Sequence, residues 1–188
     1  MKKPIIKFLI VTLTVIFNFH ASANTSDWKV SSAGENTVLQ MRLTSSTEGT
    51  EGLKEIPISI EVITNPGWKI YWRYPGDSGL PTEMNFNGSS NVKSFQIFWP
   101  APFRFSTFGI DTFGYEGQII FPINVIPEIV NEMVNLNTQI SLLACNEICI
   151  PFQEEISLQI PKTTSLPNIN TRVRAQFMSL VPRKIPND

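Results

Sequence analysis

Cys145 and Cys149 are the only cysteines in the chain, spaced as Cys-Asn-Glu-Ile-Cys. Two thiols this close can do three kinds of chemistry. They can exchange a disulfide with a partner, staple a tight turn, or share a soft ion such as Cu(I). A closed zinc site needs more ligands than the pair supplies. Three intervening residues bring the Cα atoms within the roughly 7 Å limit for a disulfide, provided the chain turns between them. A straight strand holds them too far apart, so the spacing predicts a turn or helical twist at 146–148. As a staple the pair contributes little. A loop of five residues gives about 2 kcal/mol by chain entropy, the low end for disulfides. Redox-active pairs are close in sequence because reduction must not unfold the domain. Exchange is therefore favoured over stapling, and metal binding stands third.

Little else could do chemistry near neutral pH. The only histidine is His20. It falls in a segment that reads as a secretory signal: Lys2, Lys3 and Lys7, an apolar run from Phe8 to Phe19, then Ala21-Ser22-Ala23. The run is shorter than the about 20 residues needed to cross a bilayer. Residues 1–23 are expected to be cleaved, leaving an exported chain without histidine. Ser-His-Asp and Cys-His catalysis and His-ligated metals are then excluded. The remaining 165 residues suffice for one domain with a core. Without the three signal lysines they carry 12 basic against 16 acidic residues, which argues against nucleic acid or an anionic membrane as partner. Stable membrane insertion after cleavage is not expected, and a monomer is the default.

The elements that must position the cysteines read as short strands. Leu39, Met41 and Leu43 alternate along Val38 to Leu43; Ile56, Ile58, Ile60 and Val62 alternate with Pro57, Ser59 and Glu61. Phe95 to Trp99, Ile119 to Val125, Gln139 to Leu143 and Ile156 to Ile160 are further candidates. Period-two alternation between turn residues predicts half-buried strands, and six or more of them predict an all-β, immunoglobulin-like sandwich. The cysteines then sit at a strand end or in a connection between strands. Val173, Phe177, Leu180 and Val181 have helical spacing, so a short C-terminal helix is expected over Thr171 to Val181, capped by Asn170 and stopped by Pro182. Thr44 to Thr50 reads as a mobile loop. The expected organisation is a signal over 1–23, one domain over 24–165, and a helix with a polar tail over 166–188.

Aromatic residues form a second cluster. Trp68, Tyr71, Trp72 and Tyr74 run into Pro75-Gly76-Asp77-Ser78-Gly79-Leu80-Pro81, which reads as a loop. Trp99, Phe103, Phe105, Phe108, Phe113 and Tyr115 follow, interleaved with Pro and Gly. Most such rings belong to cores. Loops that carry many rings also cover sites, and a shielded disulfide is one thing to cover. Asp77, Arg104, Asp111 and Glu116 read as loop charges; any of them near the sulfurs would tune a thiol.

Several blocks carry a resemblance. They are Gly67-Trp68-Lys69-Ile70-Tyr71-Trp72-Arg73, Pro75 to Pro81, Trp99-Pro100-Ala101-Pro102, Phe108-Gly109, Phe113-Gly114-Tyr115-Glu116 and Ala144 to Pro151. In this order, from about Pro57 to Pro161, they resemble the N-terminal periplasmic domain of the DsbD family of thiol-disulfide interchange proteins, in its ScsB-like branch. The resemblance implies an immunoglobulin-like fold with one exchangeable disulfide and no cofactor. It implies electrons taken from a membrane-embedded thiol reductase and passed to thioredoxin-fold periplasmic proteins. Cys149 matches the cysteine that forms the mixed disulfide, and Cys145 the one that resolves it. Phe108 matches the phenylalanine of a cap over the pair, and Tyr71 a tyrosine of the active-site region; Glu147 belongs to the surroundings. Protein-disulfide reductase activity is left open.

The chain also departs from the pattern. Three residues separate its cysteines where DsbD has five, and Ser106 and Thr107 stand where acidic residues precede the cap phenylalanine. It ends soon after the domain, so either a separate membrane protein reduces it or it is a truncated relic. The rival readings are a copper-handling or cytochrome-assembly binding module, kept in view by the ScsB-like branch and copper tolerance, and a stapled structural domain.

Overall fold

The computed structural model describes residues 24–107 and 109–183. The expected signal 1–23, the tail 184–188 and the cap candidate Phe108 lie outside the described residues.

Alternating apolar residues write most of the strands. In chain order these are β1 (Lys29–Ala33), β2 (Asn36–Ser45), β3 (Ile56–Thr64), β4 (Lys69–Gly76) and β5 (Glu83–Asn85). Then come β6 (Ser94–Ile97), β7 (Phe103–Thr107), β8 (Ile110–Glu116), β9 (Gln118–Ile126), β10 (Val134–Cys145) and β11 (Cys149–Ile160), before helix α1 (Ile169–Met178). One sheet has the order β1-β2-β3-β9-β6; the other has β11-β10-β4-β8-β7, with β5 beside β10. All named strand pairs are antiparallel. The result is the expected β-sandwich with one short C-terminal helix. Leu39, Ile60 and Phe121 of the first sheet belong to one core with Ile70, Ile140 and Leu158 of the second. Burying such side chains is worth roughly 1.5–3 kcal/mol each.

Two readings change. The 44–50 segment is not a mobile loop: Thr44 and Ser45 end β2, and Ser46, Thr47 and Thr50 are buried. Its polar groups are taken up by distant chain, as in Glu48 N–H to Leu166 O at 2.9 Å and Thr50 Oγ1 to Glu132 O at 2.9 Å. Hydrogen bonding makes burial of such a polar run tolerable. The helix is also shifted. It starts at Ile169, and its cap is Asn168, whose side chain accepts from Asn170 N–H at 3.0 Å. Asn168 holds that position because its own N–H reaches Ser46 O and its Nδ2 reaches Ser45 O. Leu180 and Val181 lie beyond the cap residue Ser179. Among the described residues no helix is long and apolar enough to cross a membrane.

Candidate functional site: a disulfide at the tip of a hairpin

β10 and β11 pair along twelve rungs, from Val134↔Ile160 to Cys145↔Cys149. The cysteines are the last rung, with Cα atoms 4.1 Å apart, and they form a disulfide. The candidate strands Gln139 to Leu143 and Ile156 to Ile160 are the middle and the end of these two longer strands. The chain turns between the cysteines as the spacing predicts, with Asn146 N–H donating to Ile148 O at 3.0 Å.

The pleat decides which way the sulfurs point. Along β10 the even-numbered residues from Val134 to Ala144 are buried against the core. Successive side chains of a strand point to opposite faces. Cys145 therefore stands on the outer face of its sheet. It is buried all the same, at 2% exposure, whereas Cys149 on the edge strand β11 is exposed. Ile148 beside it is 63% exposed. Of the two bonded cysteines, Cys145 is sheltered and Cys149 is exposed.

The shelter comes from β4. Lys69 is the Cα partner of Cys145. Tyr71, two residues on, shares its face and donates its hydroxyl to Cys145 Sγ at 3.3 Å. Burial pushes the Tyr71 phenol above its ordinary range, so the hydroxyl keeps its proton and remains a donor. Thr82 Oγ1 binds the Tyr71 carbonyl. Gly79 has φ +102°, and a Cβ there would lie 2.5 Å from the Tyr71 ring. The 77–81 loop thus approaches the ring through a glycine, and its conformation also suits glycine alone. Pro75 and Gly76 belong to β4, so the loop read at Pro75 to Pro81 begins two residues later.

The β7–β8 hairpin continues the sheet beyond β4 and brings Phe105 to the Lys69 side chain. It pairs from Phe103↔Gly114 to Thr107↔Ile110. Lys69 Nζ lies 4.9 Å from the Phe105 ring centroid and 5.9 Å from that of Tyr71. Arg104 and Asp111 are not loop charges; they form an ion pair between β7 and β8. That pair, with a hydrogen bond from Ser106, holds the Asp111 carboxyl below the ordinary range. Asp77 ties the hairpin to the 77–81 loop: its N–H donates to Asp111 O at 2.9 Å, and Asp111 N–H donates to its Oδ2 at 3.2 Å. Glu116, at the end of β8, accepts from Gly67 N–H.

Of the site residues expected from sequence, Cys145, Cys149 and Tyr71 are brought together. Glu147 is exposed in the turn, with no side-chain hydrogen bond or ion pair among the described residues. Lys69, Phe105 and Gly79, named above only within their motif blocks and given no role there, join the site, as does Thr82. The parity of β4 carries a signal for Lys69, since it lies two residues from Tyr71. The register that sets it against Cys145 is not in the local sequence. A groove of about 530 Å³ opens near the pair, with Leu80, Pro81, Pro151 and Phe152 in its wall. No group of three or more His, Cys, Asp or Glu side chains that could hold a metal ion occurs among the described residues.

The arrangement pairs an exposed cysteine with a sheltered one that carries a hydrogen-bond donor on its sulfur. A family model described as thiol:disulfide interchange protein DsbD, N-terminal, matches residues 50–161. No curated protein matches the chain. The crystal structure of the N-terminal periplasmic domain of ScsB from Proteus mirabilis is similar, with a TM-score of 0.68 and 29% identity. The likeness covers 86% of this chain and 60% of that one.

Proposed function

Because the chain belongs to the family of DsbD N-terminal thiol-disulfide interchange domains, we propose that it carries electrons in the periplasm through the Cys145–Cys149 disulfide. The observation that supports this reading best is the unequal exposure of the two cysteines at the end of a hairpin that has eleven further rungs besides theirs. The bond adds about 2 kcal/mol by chain entropy.

In the loading direction a donor thiolate attacks the exposed Cys149 Sγ. The bond to Cys145 breaks, and Cys145 leaves with the electron pair as a thiolate. A second donor thiol then attacks the mixed disulfide at the donor's sulfur, releasing Cys149 as a thiol and the donor as a disulfide. In the delivering direction the Cys149 thiolate attacks a partner disulfide. The Cys145 thiolate then attacks Cys149 Sγ, the intramolecular disulfide returns, and the partner leaves with both of its sulfurs reduced. Both directions pass through one intermediate, a mixed disulfide on Cys149 beside a free Cys145 thiolate. We assign the donor to a membrane-embedded thiol reductase and the acceptors to thioredoxin-fold proteins, a protein-disulfide reductase role without a cofactor. The working domain spans 24–165, after a signal at 1–23; Tyr71 and Glu147 belong to the site, with Phe108 as its cap.

The test is the reduction potential of the pair, by alkylation and intact mass in graded redox buffers. The expected value lies well above about −300 mV, with the fold retained on reduction. A lower value, or unfolding on reduction, leaves a stapled sandwich. A Cys145→Ser chain should also trap acceptors on Cys149.

A further inference from the structure

The mechanism needs Cys145 to carry a negative charge in a sheltered place. Burial alone opposes this, because desolvation raises a thiol pKa. The Tyr71 hydroxyl offers one hydrogen bond. Lys69 supplies what is missing. It stands directly across from Cys145 in the ladder. Directly opposed residues of an antiparallel pair share a face, with Cβ atoms about 4.5–5.5 Å apart. Its ammonium stays on this face, over Phe105 and beside Tyr71.

None of the other charges around it forms an ion pair with it among the described residues. Glu116 on β8 is the Cα partner of Lys69 on its other side, but its Oε1 takes the Gly67 N–H, and the two side chains form no ion pair. On β7, Arg104 is paired with Asp111. Arg73 on β4 sits over Trp72 and Tyr74. Glu147, in the turn, is exposed. Lys69 is thus a cation without a carboxylate partner among the described residues, on the same face as the sulfur that must ionise.

We propose that Lys69 is the electrostatic partner of the Cys145 thiolate, stabilising the intermediate shared by both directions of exchange. This rests on the exchange reading above and adds a residue to it. The thiol-disulfide rate rises as the leaving thiol becomes more acidic. Lys69 therefore speeds the opening of the bond by a donor.

The experiment compares Lys69→Met and Lys69→Arg. In a Cys149→Ser background the lone Cys145 thiol is titrated by thiolate absorbance near 240 nm. Lys69→Met should raise its pKa by about one unit, a tenfold loss of thiolate, and Lys69→Arg should restore it. In the chain with both cysteines, the potentials of wild type and Lys69→Met should coincide at a pH well below the Cys145 pKa that the titration finds. They should separate by up to about 30 mV above that pKa, the variant being the more reducing. An unchanged Cys145 pKa in Lys69→Met overturns the inference. So does a Lys69→Arg chain that behaves like Lys69→Met, because charge is then not what counts. The two readings fail separately. A wild-type pair that does not exchange removes the function; exchange with an indifferent Lys69 removes only this residue's part.

Discussion

Two hairpins of the second sheet flank β4, and they are built differently. β10–β11 has twelve rungs, and β10 is flanked on its other side by β4 and β5. Its inward residues, such as Leu136, Ile140 and Leu142, are core. β7–β8 has five rungs and ends the sheet. Its outer residues Phe103 and Ile110 are 66% and 47% exposed. The long hairpin is held by buried apolar area. The short one is anchored by Tyr115 at its inner end, while its outer end is closed by an ion pair between its own strands and tied to the 77–81 loop by hydrogen bonds between Asp77 and Asp111. Apolar burial is large and insensitive to salt, whereas exposed pairs contribute little and are screened. The disulfide thus stands at the end of the longer hairpin, and the shorter hairpin lies on the far side of β4 from it.

This contrast can be broken most severely in the platform. Ile140→Ala removes a fully buried side chain of β10 and should cost about 2–5 kcal/mol in urea unfolding. A cost below 1 kcal/mol, in the range of an exposed substitution, would deny β10 its role as platform. A smaller effect is expected where the two regions touch. Tyr71→Phe keeps the ring over Cys145 and removes its hydrogen bond to the sulfur. Stability should fall by about 1 kcal/mol or less, and reduction of the pair by a small dithiol should slow several-fold. An unchanged rate would mean that the hydroxyl only fills space.

The smallest effect belongs to the short hairpin. Asp111→Asn should leave the melting temperature unmoved and speed hydrogen exchange at the Asp77 and Asp111 amides, which the two residues hold between them. The pH dependence has a defined sign. The Asp111 carboxyl is depressed in the folded chain. Its contribution is fully present above the unfolded pKa of about 4 and is lost as pH falls through the lower folded value. Amide chemical shifts of the 104–111 segment should stay flat from pH 7 to about 4 and move below it. Movement already at pH 6 would point to another group.

The strands that were legible are those with one buried face. Leu39, Met41 and Leu43, or Ile58, Ile60 and Val62, alternate because the core takes every second residue. β4, β7 and β8 were hidden, since their rings stand on both faces: Tyr71 on the disulfide side, Tyr115 toward the core, and Trp72 against Tyr74. The strand pairing of β4 and β8 also shifts between Tyr71 and Gly76, which interrupts any simple period. The polar run at 44–50 could not be recognised as buried, because its partners lie near Glu132 and beyond Pro161. The helix cap fell on Asn168 rather than Asn170 for the same reason: bonds to Ser45 and Ser46 fix how the chain enters.

For the site itself, the sequence alone determined the chemistry that is possible. It contains two cysteines, their spacing forces a turn, and the residues after the expected signal contain no histidine. The motif order placed the chain in its family. What the tertiary structure decided is which sulfur is sheltered and what stands beside it. Exposure of Cys149 and burial of Cys145 follow from the edge position of β11 and the interior position of β10. The nearness of Lys69 and Tyr71 follows from the register of β4 on β10. Register is a relation between strands about 75 residues apart, set by the packing of both inner faces at once. A one-residue slip would turn Tyr71 and Lys69 away from the sulfur, and no local pattern in 69–71 or 145–149 records which alignment the core selects.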